Sequence, residues 1–143
     1  MITGASADLI QAFAAQVRSE IEDDRVDLLR AALTFARIED PQLDVELYVR
    51  RVEDFSQRVA ARVQDLDDPA HVIAALNHVL FQEEMFRGNT VDYYSPRNSF
   101  LHDVLDRRLG IPISLALVYM EVARRVGFPL FGVGMPGHFL LKH

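Results

Sequence analysis

Gly110-Ile111-Pro112-Ile113-Ser114-Leu115-Ala116-Leu117-Val118-Tyr119-Met120-Glu121-Val122-Ala123-Arg124-Arg125-Val126-Gly127 is the stretch on which the fold turns. Proline fixes its own φ and lacks an N–H, so Pro112 suits the first position of a helix, and Gly127 suits its end. Between them Leu115, Val118, Tyr119, Val122 and Val126 line one side while Ala116, Met120 and Ala123 line another. A helix apolar nearly all round belongs in the middle of a fold, and the closing Arg124 and Arg125 suit the negative end of its dipole. The spacing therefore predicts a buried central helix over 113–126.

Working upstream, Leu101, Val104, Leu105 and Leu109 predict a short helix ended by Gly110. Periodicity fails from Met85 to Asn98, where Gly88-Asn89, Asp92 and Ser95-Pro96 are turn formers among Phe86, Tyr93 and Tyr94. Asp68-Pro69 predicts a capped helix with Val72, Ile73, Leu76, Val79 and Leu80 inward. Val45, Tyr48, Val49, Val52, Phe55, Val59 and Val63 make the stripe of a longer one. Earlier still, Leu9, Ile10, Phe13, Val17 and Ile21, then Val26, Leu29, Leu33 and Ala36, recur at helical steps. Downstream, Phe128 to Val133 and His138 to Lys142 predict two strands around Gly134-Met135-Pro136-Gly137. A lone hairpin is marginal in water, so the sheet is expected to continue past His143 or to pair with another chain.

Composition sets the class. Of 143 residues 50% are hydrophobic and 25% charged, with 7 Gly and 6 Pro, which fits one globular domain and excludes disordered and low-complexity chains. A net charge of -6 without a basic run argues against nucleic acid and anionic membranes as partners. The absence of cysteine removes disulfides, thiolate metal sites and thiol catalysis from this stretch. Residues 1–15 lack the basic start of a signal peptide, and no apolar run reaches the roughly 20 residues of a membrane span. A cytoplasmic protein needing no cofactor is expected.

Three sets of residues invite a chemical reading. Ser114 near a helix N-terminus and His138 on the next strand have the makings of a nucleophile and its base, since free N–H groups at a helix start can hold an oxyanion. The bland alternative is a serine satisfying the first-turn N–H groups and a hydrogen-bonded histidine. In the loop, Arg87, Asn89, Asp92, Tyr93, Tyr94, Arg97 and Asn98 can form a groove wall in which Arg87 or Arg97 holds a carboxylate. Equally, Asp92 can make an Asx turn and Asn98 can cap the next helix. Last, His71, His78 and His102-Asp103 offer a weak metal-hydrolase pattern resting on His71, His102 and Asp103, although no metal is expected. Glu83-Glu84 is no catalytic dyad, because adjacent helical residues point to different faces.

Several segments taken together resemble a known family. Phe86-Arg87-Gly88-Asn89, Asp92-Tyr93-Tyr94, Pro96-Arg97-Asn98-Ser99-Phe100-Leu101, Val104-Leu105-Asp106-Arg107-Arg108, Gly110-Ile111-Pro112-Ile113-Ser114-Leu115 and Gly132-Val133-Gly134-Met135-Pro136-Gly137-His138-Phe139 are similar to the transglutaminase-like superfamily, in its SirB-type bacterial branch. The resemblance implies a papain-like α+β core in which a cysteine starts the central helix, a histidine lies on the following strand and an aspartate on the one after. It places the cysteine position at or beside Ser114, the histidine at His138 and the aspartate beyond His143. A hydroxyl ionises far less readily than a thiol, whose reference pKa is about 8.5, so the resemblance implies the fold without the thiolate chemistry.

The expectation is a mostly helical α+β protein with a helical N-terminal extension over 1–80 and a transglutaminase-like core over 81–143, forming one compact unit. Its expected role is noncatalytic, as a regulatory or protein-interaction module binding another protein, with homo-oligomerisation through the C-terminal strand possible. A serine-dependent acyl hydrolase or transferase using Ser114 and His138, and a metal-dependent hydrolase using His71, His102 and Asp103, are the alternatives.

Overall fold

Asp27, Asp44 and Asp68 each begin a helix by accepting a backbone N–H in its first turn, from Arg30, Leu47 and Ala70 respectively. These caps open α1 (Leu28–Ala36), α2 (Val45–Arg62) and α3 (Pro69–Asn77), the last with proline in its first turn as its sequence predicts. The computed structural model describes residues 27–135 and 138–143 together with Asp8, Gln11, Ala14 and Ala15, with side chains described outside 133–139. The periodic stretch expected between Asp8 and Val26 lies largely outside the described residues.

The α2 stripe is buried as its spacing requires, through Tyr48, Val49, Val52, Phe55 and Val59. Leu29 and Leu33 of α1, and Val72 and Leu76 of α3, close on it in one apolar cluster that continues into Val118, Val122 and Phe128. Phe55 is 2% exposed, and truncating such a side chain to alanine costs about 3–5 kcal/mol. Ile73 departs from expectation. It is exposed, because the next turns widen into a π-helix over His78–Glu83 and the face turned inward is Val72, Ala75, Leu76, Val79 and Leu80. Met85 then takes a left-handed φ of 62°, and the Phe86 N–H reaches back to the Leu80 carbonyl at 3.0 Å, closing the helix over two buried side chains.

The helix before the centre, α4 (Leu101–Arg107), stops earlier than its apolar spacing suggests. Arg108, not Gly110, takes the left-handed position, with φ 59°. It is held there by packing, since its guanidinium lies 5.0 Å from the Phe86 ring centre and 5.4 Å from that of Phe55 and pairs with Glu84. Leu109 and Gly110 are thereby freed to form β2 (Leu109–Gly110), parallel to β1 (Arg87–Gly88), with Arg87 opposite Leu109 and Gly88 opposite Gly110.

The central helix, α5 (Pro112–Arg125), packs against α1, α2, α3, α4 and the last strand. Ser114, Val118, Glu121, Val122 and Ala123 are buried, whereas Ile113 is 58% exposed, so one flank is open. Glu121 was not legible as a core residue. It is 2% exposed and is held by Arg125 Nη1 at 2.5 Å and Arg124 Nη2 at 3.1 Å, one and a fraction turns along the same helix. Gly127, with φ 82°, ends the run as expected, and Phe128 is buried instead of opening a strand. The hairpin that follows is antiparallel, β3 (Phe131–Met135) and β4 (His138–Lys142), with Val133 opposite Leu140 and Met135 opposite His138. The architecture is mostly helical α+β with two small sheets. No helix among the described residues is long and apolar enough to cross a membrane.

Candidate functional site

Ser114 stands at the third position of α5, where its side chain folds back on the helix start. Its Oγ accepts the Ile111 N–H at 3.1 Å and donates to the Asn98 carbonyl at 2.6 Å, nearer than the Ile111 carbonyl at 3.1 Å. A hydroxyl has one proton, so this one is already committed to the protein. The residue is 6% exposed. A Cβ added to Gly110 would lie 2.7 Å from that oxygen, so the glycine serves close approach and not a helix cap. Beside the serine runs an apolar groove of about 340 Å³ lined by Leu28, Leu101, Ile113, Leu117 and Met120. His138 lies in β4, and its side chain is outside those described, as are Pro136 and Gly137.

The loop that carries the other candidates is fixed from within. Asn98 is fully buried, and its amide donates to the carbonyls of Asp92 at 2.8 Å and Tyr93 at 2.9 Å while its Oδ1 accepts from Asn89 Nδ2 at 2.9 Å. Asn89 Oδ1 in turn accepts the Asp92 N–H at 3.0 Å. The side-chain bond that bends the loop is therefore made by Asn89, to the N–H three residues on, and not by Asp92. Nor does Asn98 cap the next helix, whose N-cap is Phe100 without a side-chain bond. Its amide turns inward instead, supplying the Tyr93 carbonyl with a donor and the Asp92 carbonyl with a second one beside the Ser95 N–H at 3.3 Å. Around this pair Tyr94 is 92% exposed and Val91 98% exposed, and the Tyr93 and Tyr94 rings meet edge to face at 5.3 Å.

The arginines divide sharply. Arg97 is bound to Asp103 through Nε at 3.0 Å and Nη2 at 2.9 Å, which removes it from the groove that it was expected to serve. Arg87 instead lines a separate pocket of about 290 Å³ with Gly88, Asn89, Asp92, Arg107 and Leu109. Arg107 was missed in the sequence because it reads only as half of a basic pair. Elsewhere Arg51 pairs with Asp106 at 2.7 Å, and the same carboxylate accepts from Tyr48 Oη at 2.8 Å. Burial, then this bond, pushes the Tyr48 phenol up to about 12.

Glu83 and Glu84 are taken up separately by arginines. Arg58 bridges both, Arg62 joins Glu83, and Arg108 Nη2 meets Glu84 Oε2 at 2.6 Å. Burial alone would raise the Glu84 pKa, but Arg58 and Arg108 outweigh it and hold the carboxyl below its ordinary value. The histidines do not converge. His71 neighbours Asp68 at 3.6 Å, His78 neighbours Glu83 at 3.2 Å, and His102 neighbours Asp103 at 3.7 Å. Among the described residues no three His, Asp or Glu side chains are grouped to hold a metal ion, so His71, His102 and Asp103 do not form the set required of them.

Comparison with known proteins identifies the family. Residues 46–143 match a family model described as the transglutaminase-like superfamily. A UPF0162 protein of Xylella fastidiosa is 44% identical over 122 residues, covering 85% of this chain and 43% of that protein. One from Vibrio cholerae is 32% identical over 120 residues, covering 83% of this chain and 44% of that protein. Human F-box only protein 21 is 41% identical over 88 residues, 62% of this chain and 14% of that protein. The chain thus spans less than half the length of the bacterial relatives, at 43% and 44%. No solved structure matches it.

Proposed function

The chain belongs to the transglutaminase-like superfamily, and from that membership we propose that it is a noncatalytic member, a regulatory or protein-interaction module working in the cytoplasm. The observation that carries this is the state of Ser114. Where the family's thiol nucleophile is expected stands a buried hydroxyl whose proton is given to the Asn98 carbonyl at 2.6 Å. A serine nucleophile needs a base to take its proton, and a proton engaged in a short bond to a main-chain carbonyl is turned away from that role. The 143 residues contain no cysteine to replace it.

The relatives support a module carried within longer chains. The matched region is 14% of human F-box only protein 21 and 43% of the Xylella protein. The partner is a protein and not a nucleic acid, in keeping with the charge of -6. A second copy is a further partner on this reading, through the hairpin. Among the described residues β3 and β4 pair only with each other, and Phe131 and Leu140 are 64% and 51% exposed.

The test is turnover. Incubated with peptide amides, esters and amine donors, the protein should show no rate that Ser114→Ala abolishes. A rate lost in that variant, with its circular dichroism and melting unchanged, overturns the noncatalytic reading in favour of a serine-dependent acyl hydrolase or transferase.

A further inference from the structure

Resting on the interaction-module reading, we propose that the pocket between β1 and the end of α4 binds the side-chain carboxylate of an Asp or Glu within an extended, acidic segment of a partner protein. Arg87 and Arg107 both line that pocket, one from a strand and one from the last turn of a helix. No acid is paired with either guanidinium among the described residues, whereas Arg51, Arg58, Arg97, Arg108 and Arg125 all have carboxylate partners. Arg107 Nη1 is moreover buried without a hydrogen-bond acceptor among the described residues. Buried donors in folded proteins are almost always satisfied, and a guanidinium is satisfied best by a carboxylate gripped through two parallel bonds.

Charge and shape select the occupant. Two arginines and Asp92 leave the pocket one unit positive, which one carboxylate neutralises and a phosphoryl group of about −2 charge overshoots. Nothing lies within 4 Å of where a Cβ on Gly88 would stand, so a partner's backbone has room to approach β1 there. Val91 borders the pocket and Tyr94 projects from the same loop, both almost wholly exposed. Tyrosine and arginine are the residues on which binding energy concentrates, and the Asn89 to Asn98 bond holds their loop in place before any partner arrives. The overall charge of -6 opposes an acidic partner at long range, so recognition is by contact in the pocket and not by steering.

The experiment is an NMR titration of the whole chain with acetyl-glutamate methylamide, reading the amides of Gly88 and Val91 and the side-chain N–H of Arg107. Saturable shifts are expected, absent with acetyl-glutamine methylamide, weakened about tenfold or more by Arg87→Gln or Arg107→Gln, and strengthened by Asp92→Asn. Arg107→Lys keeps the charge and loses the fork, so it too should weaken binding. No saturable shift, or equal response in a folded Arg107→Gln protein, overturns the proposal. Acetyl-alanine bearing a free terminal carboxylate is the third probe: binding as tight as that of glutamate overturns the internal segment in favour of a chain terminus. A Ser114-dependent turnover would overturn the noncatalytic reading while leaving this titration unchanged, so the two failures are distinguishable.

Discussion

Ser114 and Asn98 share one bond that ties the start of the central helix to the loop before it: the serine hydroxyl donates to the asparagine carbonyl at 2.6 Å. The same asparagine uses its side chain to hold Asn89 and two loop carbonyls. Position 114 is thus the end of a buried polar network, and the loop's shape and the serine's orientation are one property.

Asn98→Ala should cost about 2–4 kcal/mol in urea denaturation, because it leaves the Tyr93 carbonyl and the Asn89 amide without their partner and takes one of two donors from the Asp92 carbonyl. Amide exchange at Asp92 and Tyr93 should quicken more than at Val52 in α2. A loss below about 0.5 kcal/mol would show that the network is not what holds the loop.

Gly110→Ala and Gly88→Ala make a matched pair. The first places a methyl 2.7 Å from Ser114 Oγ and 3.1 Å from Leu115 Cδ2, and should cost about 1–3 kcal/mol. The second meets nothing within 4 Å and should change stability by less than about 0.5 kcal/mol. Equal effects in calorimetry would contradict the close approach.

Glu84 sets an acid limit. Its folded pKa is lowered from the usual 4.5 by Arg58 and Arg108 acting against burial, so its contribution is complete above that value and is lost as pH falls through the folded one. Glu84→Gln should therefore cost about 1–3 kcal/mol at neutral pH, and its deficit should shrink in acid below about 4.5. Melting curves across that range decide it; a deficit that stays constant would refute the ion pairs as its source.

If a second chain adds to the hairpin, light scattering over a concentration series should show mass rising toward a dimer, and Leu140→Lys should return it to a monomer. A concentration-independent monomer in the parent protein would count against that partner.

Much of this was readable from spacing. The caps at Asp44 and Asp68, the α2 stripe and the Pro112 to Gly127 helix follow from local rules that side chains obey within a turn or two. What escaped depended on distant contacts. Arg108 adopts a left-handed backbone against its propensity because two aromatic rings and Glu84 hold it, and none of the three adjoins it in sequence. Glu121 is buried by the elements that pack around its helix, and only its charge is met locally, by Arg125 one turn on. In the loop the turn-forming types were evident, but which asparagine bonds which carbonyl is settled by burial. Arg97, read as one of two arginines that can hold a carboxylate, is taken up by Asp103 for the same reason: only the fold decides which arginine an acid reaches.

The narrow seat of Ser114 also bears on what else position 114 can hold. A thiol is bulkier than a hydroxyl, a poorer donor, and unable to keep so short a contact with the Asn98 carbonyl, and the serine oxygen already lies so near Gly110 that a Cβ there would be 2.7 Å from it. Ser114→Cys alone would therefore give a displaced sulfur and a loosened loop. Thiol chemistry at this position would need changes at Asn98 and Gly110 as well as at residue 114.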